Sequence, residues 1–335
     1  MTVPTICITG ASGNIGGGAL HTLIDTLGYP ADSIIVSSSN PSKLSSLSSR
    51  VQIRYGDVDH PESLRSAYKG AHKLLLVSFP SIDQRTRYKF NKISIDAAID
   101  VGVQHIYYTS IAFNADPSLC PIMWANNNTE DYLRDQGRRV GVKYTILREG
   151  IYHEIFLLIC GFLDIPKILS EPNPPGGHDV VISGSINALI SPVSIADLGE
   201  ATGRILASTD PDYDDKMVLL SGPAGYSVKD MAAIISSFLC LDPPLNVRAV
   251  SGEEYINYHL KNSQRSLRAM VYPAGSDQRC FLENMVGADN AIVNGEAEAR
   301  SQTLARILGR PPKSLEETVH IVLGRILESF PIRPE

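Results

Sequence analysis

Apolar and polar positions along the first 150 residues alternate between two patterns. Short apolar runs at Thr5–Thr9, Ser33–Ser37, Val51–Tyr55, Lys73–Val77, His105–Thr109 and Lys143–Leu147 are rich in β-branched or aromatic residues and read as strands. Between them, Asn14–Leu27, Pro61–Tyr68, Gln84–Val101 and Asn126–Gln136 repeat apolar residues every three or four positions, the period of an amphipathic helix. Pro41–Leu47 starts a further helix with proline in its first turn. Continuously apolar strands are buried on both faces, as in a parallel sheet with helices on either side. Right-handed crossovers make that sheet doubly wound.

The pattern changes after Gly150. Pro166 to Gly177 is a Pro- and Gly-rich loop, and Val180–Ile190 reads as β-like. Ser194–Ala207, Ser227–Leu239 and Leu315–Leu327 are helical, with a strand at Met217–Leu220. Gly252 to Arg300 has weak periodicity and yields no assigned elements. The expectation is an α/β protein: a Rossmann domain over residues 1–150, and a smaller α+β substrate-binding region over 151–335. That region should pack on the first and not fold independently.

The first strand runs into Gly10-Ala11-Ser12-Gly13-Asn14-Ile15-Gly16, which opens the first helix. Gly10 and Gly13 permit a tight turn and close approach of the backbone to a pyrophosphate, and Gly16 lets helix and strand pack closely. The helix N-terminus offers free N–H groups and the positive end of its dipole. A nicotinamide dinucleotide is the expected ligand. NAD binders place an acid about 20 residues on; here that place reads Ser37-Ser38-Ser39-Asn40. Hydroxyls there can donate to a 2′-phosphate, and Lys43 can neutralise it, so NADP(H) is favoured. Asp57 and Val58 follow the third strand, where the adenine is expected, although Asp57 also suits a turn.

Composition narrows the class. The 335 residues carry a net charge of −6 without a basic block, which argues against nucleic acid as a partner. Five cysteines, with no CxxC, suit buried small hydrophobes in a reducing compartment. The eight histidines form no metal-ligating spacing. The most apolar stretch, Ile155–Leu163, is short of the roughly 20 residues that span a bilayer. With no signal peptide read at the N-terminus, a cytoplasmic protein without a membrane partner is expected, as a monomer or homodimer.

The stretches TICITGASGNIG, SNPSKLSSL, HKLLLVSFPS, DAAIDVGVQHIYYTS, NNNTEDYLRDQG, YTILREGIYHE and ISPVSIADLGEATGRILA resemble the NmrA-like atypical short-chain dehydrogenases. Near the end ARILGRPPKSLEETV also matches. The resemblance is strongest to NADPH:quinone oxidoreductases and to fungal biosynthetic oxidoreductases. It departs at Ser39, where NADP-preferring relatives often carry Arg, and at Asn126, where many carry Lys or His.

Ordinary short-chain dehydrogenases use Ser and then Tyr-x-x-x-Lys, whose Lys lowers the Tyr pKa. Ser110 stands in the Ser position, but Pro121 to Asn126 holds neither Tyr nor Lys. A literal Tyr88–Lys92 precedes Ser110 and reads as helix surface. A quinone or electron-poor enone accepts hydride without a strong acid, so positioning and one or two donors suffice. The resemblance implies Tyr152 near the nicotinamide as the donor, with a packing aromatic as the alternative. Asn126 retains an amide donor. Ser78, Phe79 and Pro80 should line the ribose–nicotinamide end. Trp124 and His153 are further substrate-pocket candidates, Trp124 alternatively filling the core and His153 serving structure.

The leading reading is an NADP(H)-dependent oxidoreductase acting on a quinone, enone or ketone of an aromatic or polyketide-like small molecule, in the setting of secondary metabolism. Two others stay open: an NADP(H)-sensing regulator without turnover, and a non-redox isomerase, dehydratase or cyclase.

Overall fold

A computed structural model describes residues 3–47, 49–113, 115–263 and 277–329. Strands β1 (Ile6–Thr9), β2 (Ile34–Ser38), β3 (Gln52–Tyr55), β4 (Lys73–Leu76), β5 (His105–Ile111) and β6 (Lys143–Glu149) alternate with helices α1 (Asn14–His21), α2 (Pro61–Tyr68), α3 (Gln84–Asp100) and α4 (Met123–Val140). Two short helices, α5 (Phe156–Ile159) and α6 (Ile165–Ser170), precede β7 (Asp179–Ile182). Helix α7 (Ile195–Ala207), β8 (Lys216–Leu220), α8 (Val228–Phe238), β9 (Asn246–Ala249) and α9 (Gly252–Asn262) follow. The described chain closes with α10 (Gln278–Val293), α11 (Thr303–Leu308) and α12 (Leu315–Ser329).

Seven strands form one parallel sheet in the order β3-β2-β1-β4-β5-β6-β8, and β7 pairs with β9 apart from it. The chain winds outward from β1 in one direction and from β4 in the other, which makes the doubly wound Rossmann sheet expected from the sequence. Side chains alternate between two cores. Ile6, Ile8, Val36 and Leu75 face a core shared with α1 and α7. Cys7, Ile35, Leu74 and Leu76 face the other core, shared with α2 and α3. That two-sided burial is why these strands show no polar face.

Several expectations need correction. The first helix stops at His21 and passes into a π-helical turn, Thr22–Thr26; Pro41–Leu47 is 3₁₀. The β-like run 180–190 is strand only to Ile182; the Val250 amide makes the last bond to it, and the partner chain then turns into α9 at Gly252. The unassigned region holds α9, with a capping box of Ser251 and Glu254, and α10, capped by Asp277. Residues 264–276 of that region lie outside the described residues. Cys240 and Cys280 are exposed, unlike Cys7, Cys120 and Cys160.

Elements beyond residue 150 serve the first half as well as the second. β8 pairs with β6, and α7 crosses α1. A third core gathers Phe156, Ile168, Val180 and Met231 with Leu315, Val319 and Leu323 of α12, around Phe113 and Met123 of the first half. Among the described residues no helix is long and apolar enough to cross a membrane.

Candidate cofactor and substrate site

The carboxyl ends of β1 and β4 diverge at the point where the strand order reverses, the place where such sheets bind ligands. Thr9 closes the floor: its hydroxyl donates to the Leu75 carbonyl and accepts from the Val77 amide. Gly10 then takes φ +65°, a left-handed conformation that a side chain disfavours. The Gly13 amide donates to the Gly10 carbonyl at 2.9 Å and turns the chain into α1. A Cβ at Gly16 would stand 2.5 Å from the Gly10 carbonyl oxygen, so helix and loop can approach only with glycine there. Ala11, Ile15 and Gly16 are buried, while Ser12, Gly13 and Asn14 are exposed. The first-turn amides, which a helix leaves without internal acceptors, open on that exposed side.

Next to the loop, Ser38 ends β2 and its hydroxyl accepts from the Asn40 amide. Ser39 and Lys43 are exposed, and no ion pair holds Lys43 among the described residues. Asp57 forms a turn: its Oδ1 accepts from the Asp59 amide, and it bridges to His60. Val58 packs against the core beneath α2.

A buried polar network lies under the ends of β4 and β5. The Ser78 hydroxyl is 3.2 Å from that of Tyr108, which donates to Asn126 Oδ1 at 2.9 Å. Asn91 of α3 donates to the Tyr108 hydroxyl and accepts from the Phe79 amide. Burial pushes the Tyr108 phenol up to about 12. Asn126 is wholly buried and points into this network rather than toward an open site. Ser110 is also turned inward, donating to Glu130, which Arg148 and Arg134 hold by ion pairs. Pro80 is exposed at the lip, and Phe79 packs edge-on against Phe90.

Tyr152 follows β6. Its hydroxyl donates to Glu149 Oε2 at 2.6 Å, and burial raises its pKa. Glu149 is 3% exposed, its Oε1 has no partner, and desolvation pushes its carboxyl up to about 8. His153, one residue on, is buried: Nδ1 lies 3.0 Å from the Thr318 hydroxyl, and the Pro192 backbone engages the ring as well. Desolvation pushes its pKa down to about 4, which favours the neutral ring, and these protein contacts match the structural alternative expected for it. Trp124 does not fill the core; it is 47% exposed and stands edge-on to Tyr88. Lys92 of the Tyr88–Lys92 pair is turned to Asp96, with its Nζ 2.6 Å from the carboxylate.

Sequence reasoning passed over Glu149, Tyr108, Asn91 and Arg87. A carboxylate ending the apolar run Tyr144–Leu147, and an amide on the buried face of α3, were the available signals for Glu149 and Asn91. Nothing in the pattern separates Arg87 from exposed Arg85; only the packing does.

The NmrA-like family model matches residues 2–278. Quinone oxidoreductase 2 of Escherichia coli (strain K12) is 27% identical over 317 residues, 94% of this chain and 97% of that protein. The crystal structure of an Escherichia coli NADPH-dependent quinone oxidoreductase complexed with NADPH is similar with a TM-score of 0.77 at 25% identity, covering 95% of this chain and 99% of the other. Citrobacter sp. triphenylmethane reductase, complexed with NADP(H), is similar with a TM-score of 0.75 at 27% identity, covering 94% and 99%.

Proposed function

Since this chain belongs to the NmrA-like family, we propose that it is an NADP(H)-dependent oxidoreductase reducing a quinone, enone or ketone of an aromatic or polyketide-like small molecule, of the kind secondary metabolism makes. The observation that carries the reading is the glycine cradle, Gly10 to Gly16, after β1, opening on the same carboxyl edge of the parallel sheet from which Tyr152 follows β6. The similarity to a quinone oxidoreductase complexed with NADPH and to a triphenylmethane reductase complexed with NADP(H) supports it.

The residues present fit the coenzyme. Amides at the start of α1 suit its pyrophosphate. Ser38, Ser39 and Lys43 suit a 2′-phosphate, with Asp57 and Val58 beside the adenine and Ser78 to Pro80 beside the nicotinamide ribose. When bound, NADPH supplies the hydride. Tyr152 then meets the acceptor oxygen. Below about pH 8 Glu149 keeps its proton. It can then donate to the Tyr152 oxygen and leave the phenol's own proton for the acceptor. Ser110 and Asn126 act at one remove, holding Glu130 and Tyr108 in place.

A panel of quinones and enones, followed by loss of the reduced-nicotinamide absorbance, tests this. Turnover of at least one acceptor is expected, with NADPH preferred to NADH by about tenfold, the effect of one good phosphate contact. Tight NADPH binding without oxidation by any acceptor would favour a nucleotide sensor. Product formed without coenzyme would favour non-redox chemistry.

A further inference from the structure

Arg87 is a half-buried positive charge at the strand ends that has no counter-ion among the described residues. It lies in the second turn of α3, whose first turn Asp83 caps. Its Nε donates to the Ser81 carbonyl at 2.8 Å and its Nη1 to the Ser78 hydroxyl at 3.3 Å. Those two bonds fix the guanidinium against the segment leaving β4. No hydrogen bond from Nη2 and no ion pair to any carboxylate is formed among the described residues. Its field instead acts on the Tyr152 and Tyr108 phenols and the Cys120 thiol. Desolvation lowers its pKa, although a guanidinium stays charged.

The surrounding acids do not compensate it. Glu130 is spoken for by Arg148 and Arg134. Glu149 is closed against Tyr152 and retains its proton at neutral pH. A partly desolvated cation without a partner is unfavourable unless an anion completes it. One helix position on, Tyr88 and half-exposed Trp124 add aromatic surface.

We propose that Arg87 is a specificity-determining residue that receives a carboxylate carried by the aromatic substrate, the ring lying toward Tyr88 and Trp124. Guanidinium and carboxylate match in a fork-like, two-bond geometry. The proposal rests on the reading of this site as a small-molecule reductase, and it narrows the substrate to an anionic aromatic compound.

The test uses the full chain loaded with NADP⁺ and a matched pair of probes, naphthoate and naphthamide. Neither accepts hydride or alkylates the exposed Cys240 and Cys280. Calorimetry should show naphthoate bound about tenfold more tightly than naphthamide, as one charge-assisted contact provides. Arg87→Gln should bring the two within about twofold by weakening naphthoate alone, and Arg87→Lys should keep part of the preference. NADPH affinity of both variants, read by fluorescence, should match the parent, as should their melting temperatures within a few degrees. Equal binding of the two probes by the parent, an unchanged preference in Arg87→Gln, or weakened NADPH binding in that variant overturns the proposal; the last would assign Arg87 to the coenzyme. A quinone panel run alongside keeps the two readings apart. No turnover with the carboxylate preference intact sinks the reductase and leaves Arg87 an anion site. Turnover without the preference sinks Arg87 alone.

Discussion

Glu149 shows how one residue acquires its chemistry from burial. An exposed glutamate is ionised at neutral pH, but this one is buried with no ion pair among the described residues, and desolvation pushes its carboxyl up to about 8. In the unfolded chain it ionises at its ordinary value, so between about pH 4.5 and 8 folding takes up a proton. Stability therefore falls as pH rises through that window, and the loss is complete above it. Glu149→Gln cannot ionise and should remove this part of the decline. Thermal melts at pH 6 and 9 should show a smaller drop for the variant, by an amount on the order of a few kcal/mol. Parallel declines would mean that Glu149 is charged in the folded protein. At this scale the sequence offered residue types and spacing. It singled out Tyr152 as a candidate donor and could not say that Ser110 and Asn126 face inward, because both sit at strand or helix positions that read alike from either side.

At the scale of elements, the glycines of α1 divide between two tasks. Gly16 makes room for the loop, whereas Gly18 meets another helix: a Cβ there would lie 2.9 Å from the Gly199 Cα of α7. Gly203, one turn on, would meet the Ala19 carbonyl at 2.9 Å. The two helices cross backbone to backbone, which accounts for glycines that weaken local helix propensity and have no part in phosphate binding. Gly18→Ala should lower stability to urea by about 1–3 kcal/mol, the range for overpacking a tight contact. Gly324→Ala on α12, where nothing among the described residues lies within 4 Å, should instead raise it by up to about 1 kcal/mol. Equal effects at both sites would dismiss the crossing as the cause. Element type was legible wherever periodicity met a cap, as at Ser194 and Ser227. It was illegible in α9, whose buried side is built from only Tyr255, Ile256 and His259.

Over the whole molecule, the first-half sheet depends on the second half. Leu198, Ile205, Leu206, Val218, Leu304 and Leu308, all beyond residue 150, complete the core beneath β1 and β2. A fragment of residues 1–150 should therefore keep helical circular dichroism but bind a hydrophobic dye and melt without a cooperative transition. A sharp, reversible melt would show that the first half stands alone. By itself the sequence determined the α/β class, the parallel sheet and the glycine loop, because two-sided strand burial and a turn that only glycine can make are local constraints written at fixed spacings. The tertiary structure alone decided that β8 joins the first-half sheet and α7 packs against it, that Glu149 is buried against Tyr152, and that Arg87 has no counter-ion among the described residues. Those outcomes depend on which groups distant in the chain come together and how much water they exclude, and no local pattern encodes that.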